Sequence, residues 1–334
     1  MRDRTFKNIE MNMKKYLFGI DIGGTTVKIG LFDLNGRLLE KREIPTRTEA
    51  LGKYIMSDIA ESAGKLLTSK NTDWCSAAGI GIDVPGPVID NHYVTRCVNL
   101  GWKDIDVSKE MRVLTGVEEI VVVNDAKSAA LGEWWMGGHE DCRSAVMITL
   151  GTGIGGGVIL DGRIVNGAFG GAGELSHFPI VPEETEPCAC GKYGHLQQYA
   201  SAEGIVHQFQ KKLQSEKSSS VLSNNDHITA KDIIDAARSG DEPAKKIVDD
   251  AVKKIAQTMA MITSVIDPEL FLIGGGMAEA GDFLLNAIRE EFRRLVLFVS
   301  ENARVELAVM GNEAGIYGAV KSIMNCLKDK NTQC

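Results

Sequence analysis

Hydrophobic and polar positions change period several times along the chain. "YLFGID", 16–21, is a continuous apolar run, as a buried strand requires. "GGTT" breaks it as a tight turn. "VKIGLFD" then alternates as a second strand, "LNG" turns again, and "RLLEKREI" reads as a third. Over 48–69 the period lengthens to helical spacing, with Leu51, Ile55, Ile59, Leu66 and Leu67 on one face. "AAGIGIDVP", 77–85, and "EEIVVVND", 118–125, read as strands, the latter feeding a helix from "AKSAALGEWW". The stretch 145–167, "AVMITLGTGIGGGVILDGRIVNG", repeats the opening order: strand, Gly/Thr turn, strand, "DG" hairpin, strand. "IDIGGTTVKIGLFDLNGRL" and "ITLGTGIGGGVILDGRIV" thus read as two copies of one unit. Most of the remainder is helical. "SAEGIVHQFQKKLQ" is one helix, and "SEKSSSVLSNND", 215–226, is an exposed loop. Thr229 and Asp232 form a capping box opening another helix. Residues 243–265 form a long helix with Pro243 in its first turn. "PELFLIGGG", 268–276, is a strand into a glycine loop, and 315–327 is a final amphipathic helix.

Duplicated βββ units, each followed by helix and strand, predict an α/β protein of two lobes with a cleft between them. Residues 1–13 read as a flexible extension. Residues 14–123 read as a small lobe, with the helix at 315–328 packing back on it. Residues 124–314 read as a large lobe. The 334 residues suffice for two cores. Composition is that of an ordinary globular chain, 44% apolar and 25% charged. The net charge of −8 argues against non-specific binding to nucleic acid or an anionic membrane. No apolar run is long enough to span a bilayer, and the N-terminus lacks a secretory pattern. Seven cysteines suit a reduced, cytoplasmic protein better than a disulfide framework.

Two chemical features stand out. The first is the pair of Gly/Thr turns at strand ends, where backbone N–H groups and hydroxyls can approach an anion. Gly151, Gly153 and Gly156 match G-x-G-x-x-G, but a β-hairpin follows where a dinucleotide site needs a helix. No P-loop sequence occurs. The second feature is "CACGKYGH", 188–195. On residues alone it is a metal loop, a redox pair or a plain loop, and C-x-C is not the C-x-x-C spacing of disulfide oxidoreductases.

"DIGGTTVKIGLFD" resembles the first phosphate motif of the actin-like sugar-kinase ATPases. "LGTGIGGGVILDGRIVNGAFGGAGELSH" resembles the signature of the ROK family of repressors, open reading frames and sugar kinases. "IDPELFLIGGG" and "GNEAGIYGA" resemble that family's adenosine-side segments. The similarity runs from about Lys14 to Leu327, and glucokinase-like hexokinases are its nearest functional type.

The resemblance implies a two-lobed actin-like (ribonuclease H-like) fold of duplicated βββαβα units. It also implies ATP-dependent phosphorylation of a hexose or N-acetylhexosamine, at the 6-hydroxyl. Asp125 becomes the general base, against the plain alternative of a helix N-cap. Sugar contacts fall to Gly86, Asn99, Asn124, Glu174, His177 and Gln197. Asp21, Gly23, Gly24, Thr25 and Thr26 form one phosphate loop, with Asp21 positioning Mg²⁺ through water. Gly151, Thr152 and Gly153 form the other, and Gly274, Gly275 and Gly276 pass near the adenosine. Lys28 reads as a solvated strand residue. A structural Zn²⁺ would take His177, Cys188, Cys190 and His195.

Four positions depart from the family pattern. Lys127 replaces an asparagine, Ser176 a glycine, His195 the third cysteine and Gln197 a glutamate. The last leaves the sugar open among glucose, mannose, fructose, N-acetylglucosamine and N-acetylmannosamine. The family implies a homodimer whose partners are ATP and a sugar. Two other readings remain, a non-catalytic sugar-binding protein and a transcriptional repressor. The second lacks room for a helix-turn-helix domain before the first strand.

Overall fold

In the computed structural model, which describes residues 14–216, 219–225 and 227–332, each expected βββ unit opens a five-stranded sheet. The expected extension at 1–13 lies outside the described residues. Strands β1 (Tyr16–Ile22), β2 (Thr26–Asp33) and β3 (Leu38–Pro45) form an antiparallel meander, and β4 (Ala77–Val84) and β8 (Ile120–Asn124) add to it in parallel. The order is β3-β2-β1-β4-β8. The second sheet repeats it as β11-β10-β9-β12-β13. Its strands are β9 (Ser144–Leu150), β10 (Ile154–Leu160), β11 (Arg163–Ile164), β12 (Leu270–Gly274) and β13 (Arg304–Leu307). The sequence duplication is therefore a duplication of sheet topology. The "DG" hairpin between β10 and β11 puts both Asp161 and Gly162 at positive φ, as a primed two-residue turn requires.

The chain divides into two compact units. Of the described residues, one comprises 14–141, 159–172 and 312–332, the other those within 142–158 and 173–311. In the first unit, helix α1 (Ile55–Ser69) buries Ile55, Ile59, Ala63, Leu66 and Leu67 against the sheet's core. It starts seven residues later than its apolar spacing predicts. Ala50 and Leu51 take left-handed φ, Leu51 is exposed, and Gly52 has φ +69 with no room for a Cβ beside Leu100 O. A small sheet, β5 (Val88–Ile89), β6 (Tyr93–Cys97) and β7 (Trp102–Asp106), and helix α2 (Val107–Thr115) follow. Asp106 caps that helix by accepting from Lys109 N–H.

Helix α3 (Asp125–Met136) and helix α9 (Ala314–Thr332) pack closely in this unit. Glycines make the approach possible. A Cβ at Gly132 would lie 2.0 Å from Ala314 O, and one at Gly81 of β4 would lie 1.8 Å from Ala319 O.

The second unit carries α4 (Gln197–Ala200), α5 (Ala202–Glu216), α6 (Ala230–Arg238), α7 (Glu242–Ile266) and α8 (Asp282–Leu295). The capping box at Thr229 and Asp232 is present at the start of α6. Helix α7 begins with Asp241 as cap and Pro243 in its first turn. No helix among the described residues is long and apolar enough to cross a membrane.

Candidate active site and metal-binding cluster

In the first unit, Asp21 stands next to the end of β1, followed by the Gly23–Thr25 turn. That turn closes through Gly23 N–H to Thr26 O at 3.0 Å, and Thr46 Oγ donates to Gly23 O at 2.7 Å. A Cβ on Gly24 would lie 3.8 Å from Asn99 Cβ, so the expected sugar-side asparagine adjoins the first glycine turn. Lys28, directly opposite Asp21 on β2, is not a solvated strand residue. It is four-fifths buried, and its Nζ donates to Asp21 Oδ2 at 3.0 Å and to Asn312 O at 2.7 Å.

At the end of β8, Asn124 takes the N-cap of α3, its Oδ1 accepting from Lys127 N–H. The capping task thus falls to Asn124, and Asp125 opens the helix as its first residue. Asn124 Nδ2 donates to Asp125 Oδ1 at 2.8 Å and to Gly86 O at 3.1 Å. Ala126 N–H donates to the same Asp125 oxygen at 2.8 Å. Asp125 is therefore held in one orientation by two donors. Gly86 has φ +110, a region that favours glycine, and links the loop after β4 to this group. Lys127 is buried, and its Nζ donates to Gly170 O at 2.6 Å.

A residue that the sequence reading passed over completes this group. Asp83, on β4, lies directly opposite Asp21 in the parallel ladder, with β8 on its other side. It is fully buried, and neither carboxyl oxygen has a hydrogen-bond partner among the described residues. Burial, with the negative charges of Asp21 and Asp125 nearby, pushes its pKa well above the usual carboxylate range. The available signal was one acid inside an otherwise apolar strand, "AAGIGIDV".

In the second unit, the Gly151–Gly153 turn closes through Gly151 N–H to Gly153 O at 2.9 Å. Helix α5 is tied to it, since Ala202 N–H donates to Gly151 O at 2.8 Å. Gly275, at φ +83, has no room for a Cβ, which would stand 2.4 Å from Leu150 O. A cavity of about 360 Å³ is lined by Gly151, Thr152, Thr229, Lys231, Arg238 and Gly276, among others. The second glycine turn and the glycine loop after β12 thus border one space, as a nucleotide site needs. Gly274 itself is a buried strand residue.

The loop after β11 leads to Glu174, half-buried, and then to the short turn Leu175–His177. Bridges Pro179↔His195 and Pro187↔Tyr193 fold "CACGKYGH" back on that turn. Ligand atoms of His177, Cys188, Cys190 and His195 all lie within 4.8 Å of one another. The Nδ1 atoms of His177 and His195 are 3.2 Å apart, and Cys190 Sγ is 3.3 Å from His195 Nδ1. Tetrahedral Zn²⁺ with ordinary bond lengths would separate two nitrogens by about 3.3 Å, and nitrogen from sulfur by about 3.5 Å. The four residues therefore fit a closed zinc site. Burial and the adjacent His177 push His195 below the ordinary histidine range, towards the neutral form that binds metals. Gln197 Nε2 donates to Cys188 Sγ at 2.7 Å.

Residues 17–324 match the model of the ROK family. The chain belongs to the ROK family. A glucokinase of Halalkalibacterium halodurans is 35% identical over 325 residues, 95% of this chain and 98% of that one. Among solved ROK structures, a hexokinase from Thermus thermophilus superposes with a TM-score of 0.81 at 28% identity. The match covers 94% of this chain and 99% of that chain. A ROK glucokinase from Streptomyces griseus, in complex with glucose and AMPPNP, gives 0.68 at 30% identity, covering 91% and 98%. The two sheets of like strand order described above are those of this ROK chain's actin-like fold.

Proposed function

We propose that this chain is an ATP-dependent sugar kinase that phosphorylates a hexose or N-acetylhexosamine at its 6-hydroxyl. The observation that carries the reading is Asp125. It stands where a strand meets a helix at the sheet's carboxyl edge, is relieved of capping by Asn124, and is oriented by two donors. Full-length similarity to proteins called glucokinase and hexokinase supports it.

Asp125 would take the proton of the attacking hydroxyl as general base. The proposed sugar contacts are Gly86, Asn99, Asn124, Glu174, His177 and Gln197. Within the Gly23–Thr26 and Gly151–Gly153 turns, the N–H groups other than those of Gly23 and Gly151, which close the turns, would receive phosphate oxygens, and Gly274–Gly276 would border the adenosine. Asp21 would hold a water-bound Mg²⁺, which offsets phosphate charge when present. Zn²⁺ in the Cys188 cluster would be structural. The same reading makes the protein a cytoplasmic homodimer.

An ADP-release assay over glucose, mannose, fructose, N-acetylglucosamine and N-acetylmannosamine tests the proposal. We expect one sugar to stimulate turnover, and Asp125→Asn to lower kcat about 10²- to 10⁴-fold. No stimulation by any sugar would leave a non-catalytic sugar-binding protein. Normal turnover by Asp125→Asn would remove the assigned base.

A further inference from the structure

We propose that Gln197 is a positioning residue that couples the cysteine–histidine cluster to the Gly151–Gly153 turn. This rests on the zinc reading of the cluster and not on the choice of sugar. Three observations within the second unit carry it. First, Gln197 Nε2 donates to Cys188 Sγ at 2.7 Å. A glutamine amide is a donor as well as an acceptor, whereas an ionised glutamate only accepts. A thiolate sulfur is an acceptor, so this hydrogen bond is open to glutamine and closed to glutamate. Second, Gln197 Oε1 faces the glycine turn, 3.9 Å from where a Cβ of Gly153 would stand. Third, the main chain runs from Gln197 directly to the turn. Ser201 Oγ donates to Gln197 O at 2.7 Å, Gly204 N–H donates to Ser201 Oγ at 3.0 Å, and Ala202 N–H donates to Gly151 O at 2.8 Å. Gly204 lacks a Cβ because one would stand 2.4 Å from Gln197 O. A cavity of about 410 Å³ has Thr152, Gly153, Cys188 and Gln197 along its wall.

One side chain thus touches the cluster and faces the turn, and its backbone leads within five residues to the Ala202 N–H that holds the turn. Partners that hydrogen-bond a metal ligand fix its orientation and tune the metal, and their loss typically weakens binding or activity about 10- to 100-fold. The amide donor would orient the Cys188 thiolate and withdraw some of its charge. An occupied cluster would in turn hold α4, and through Ala202 N–H the shape of the turn. Gln197 keeps its other amide hydrogen and Oε1 for a sugar hydroxyl, so the two roles are compatible.

The test uses the full chain without sugar or nucleotide. Zinc affinity is measured by competition with a chromogenic chelator, and the cobalt-loaded protein is examined for its thiolate charge-transfer bands. Wild type is compared with Gln197→Glu and Gln197→Leu, which both lack the donor. Both variants should bind zinc about 10- to 100-fold more weakly, with the cobalt–thiolate band at lower energy. Hydrogen exchange of the peptide spanning 149–156 should quicken in wild type after zinc removal and be fast already in both variants. Zinc affinity and cobalt spectra within twofold of wild type in both variants would overturn the coupling, even if the sugar KM moved. Failure of wild type itself to bind either metal would overturn the cluster reading instead, whatever the sugar panel shows.

Discussion

At the carboxyl edge of the first sheet, Asp21 stands opposite Asp83. At the matching place in the second sheet, Thr149 stands opposite Gly274. Two residues further from the edge, the matched pairs are Gly19 with Gly81 and Met147 with Leu272. One topology therefore carries two chemistries. The second sheet offers an incoming anion only N–H groups and hydroxyls, with Thr149 Oγ occupied by Gly155 N–H at 3.1 Å. The first sheet offers two carboxyls, one of them salt-bridged to Lys28. Phosphate near the first turn needs a cation beside it, and phosphate near the second does not. The glycine pair in the first sheet has a separate cause. Helix α9 lies so close that side chains at 19 and 81 would strike its carbonyls, Ile316 O and Ala319 O.

Gly81→Ala should break this comparison most strongly. Its Cβ would meet backbone, which cannot swing away, so a loss of about 3 kcal/mol or more is expected in chemical denaturation. Asp83→Asn should show its effect through pH. A carboxyl whose pKa is raised by folding binds its proton more tightly in the native state than in the unfolded chain. Stability from this group is then full below about pH 4, the unfolded value, and falls as pH rises above it, by at most about 1.4 kcal/mol per pH unit. Asparagine carries no such penalty. The variant should gain on wild type in melts between pH 5 and 8 and lose that gain near pH 4; equal pH profiles would contradict it. Gly274→Ala, in the neutral sheet, is the mild counterpart. Its Cβ would meet the mobile tip of Met147, at 2.7 Å, so a change within about 1 kcal/mol is expected from the same denaturation.

Local signals were legible where one residue type has one conformational use. The Asp161–Gly162 hairpin and the Thr229–Asp232 box could be read directly, because each depends on neighbours in sequence. The start of α1 could not. Apolar spacing carried it back to Leu51, yet contacts near Leu100 set a left-handed turn there. The small sheet β5-β6-β7 and helix α8 were passed over. The first is made of strands too short for periodicity, although Leu284, Leu285, Ile288 and Phe292 gave α8 a helical face. In the candidate site, motif order brought out Asp125 and the cysteine–histidine set. Asp83 and the partners of Lys127 and Gln197 stayed hidden, since cross-strand register and rotamer are tertiary facts. Lys127 reaches Gly170, far along the chain, and Gln197 turns to a sulfur that spacing alone does not select.

The seat of α9 on Gly19, Gly81 and Gly132 has a consequence for the order of events on the ribosome. Residues of β1 and β4 are made early, but the helix that covers them is made only after the whole second unit has been translated. Domains tend to fold as they emerge, at roughly 5–20 residues per second. The second unit is complete once residue 311 is made, its segments 142–158 and 173–311 lying close together in sequence, while the first must wait with a glycine-lined face uncovered. For those seconds the earliest-made sheet is the least finished part of the protein, and the one most in need of a chaperone.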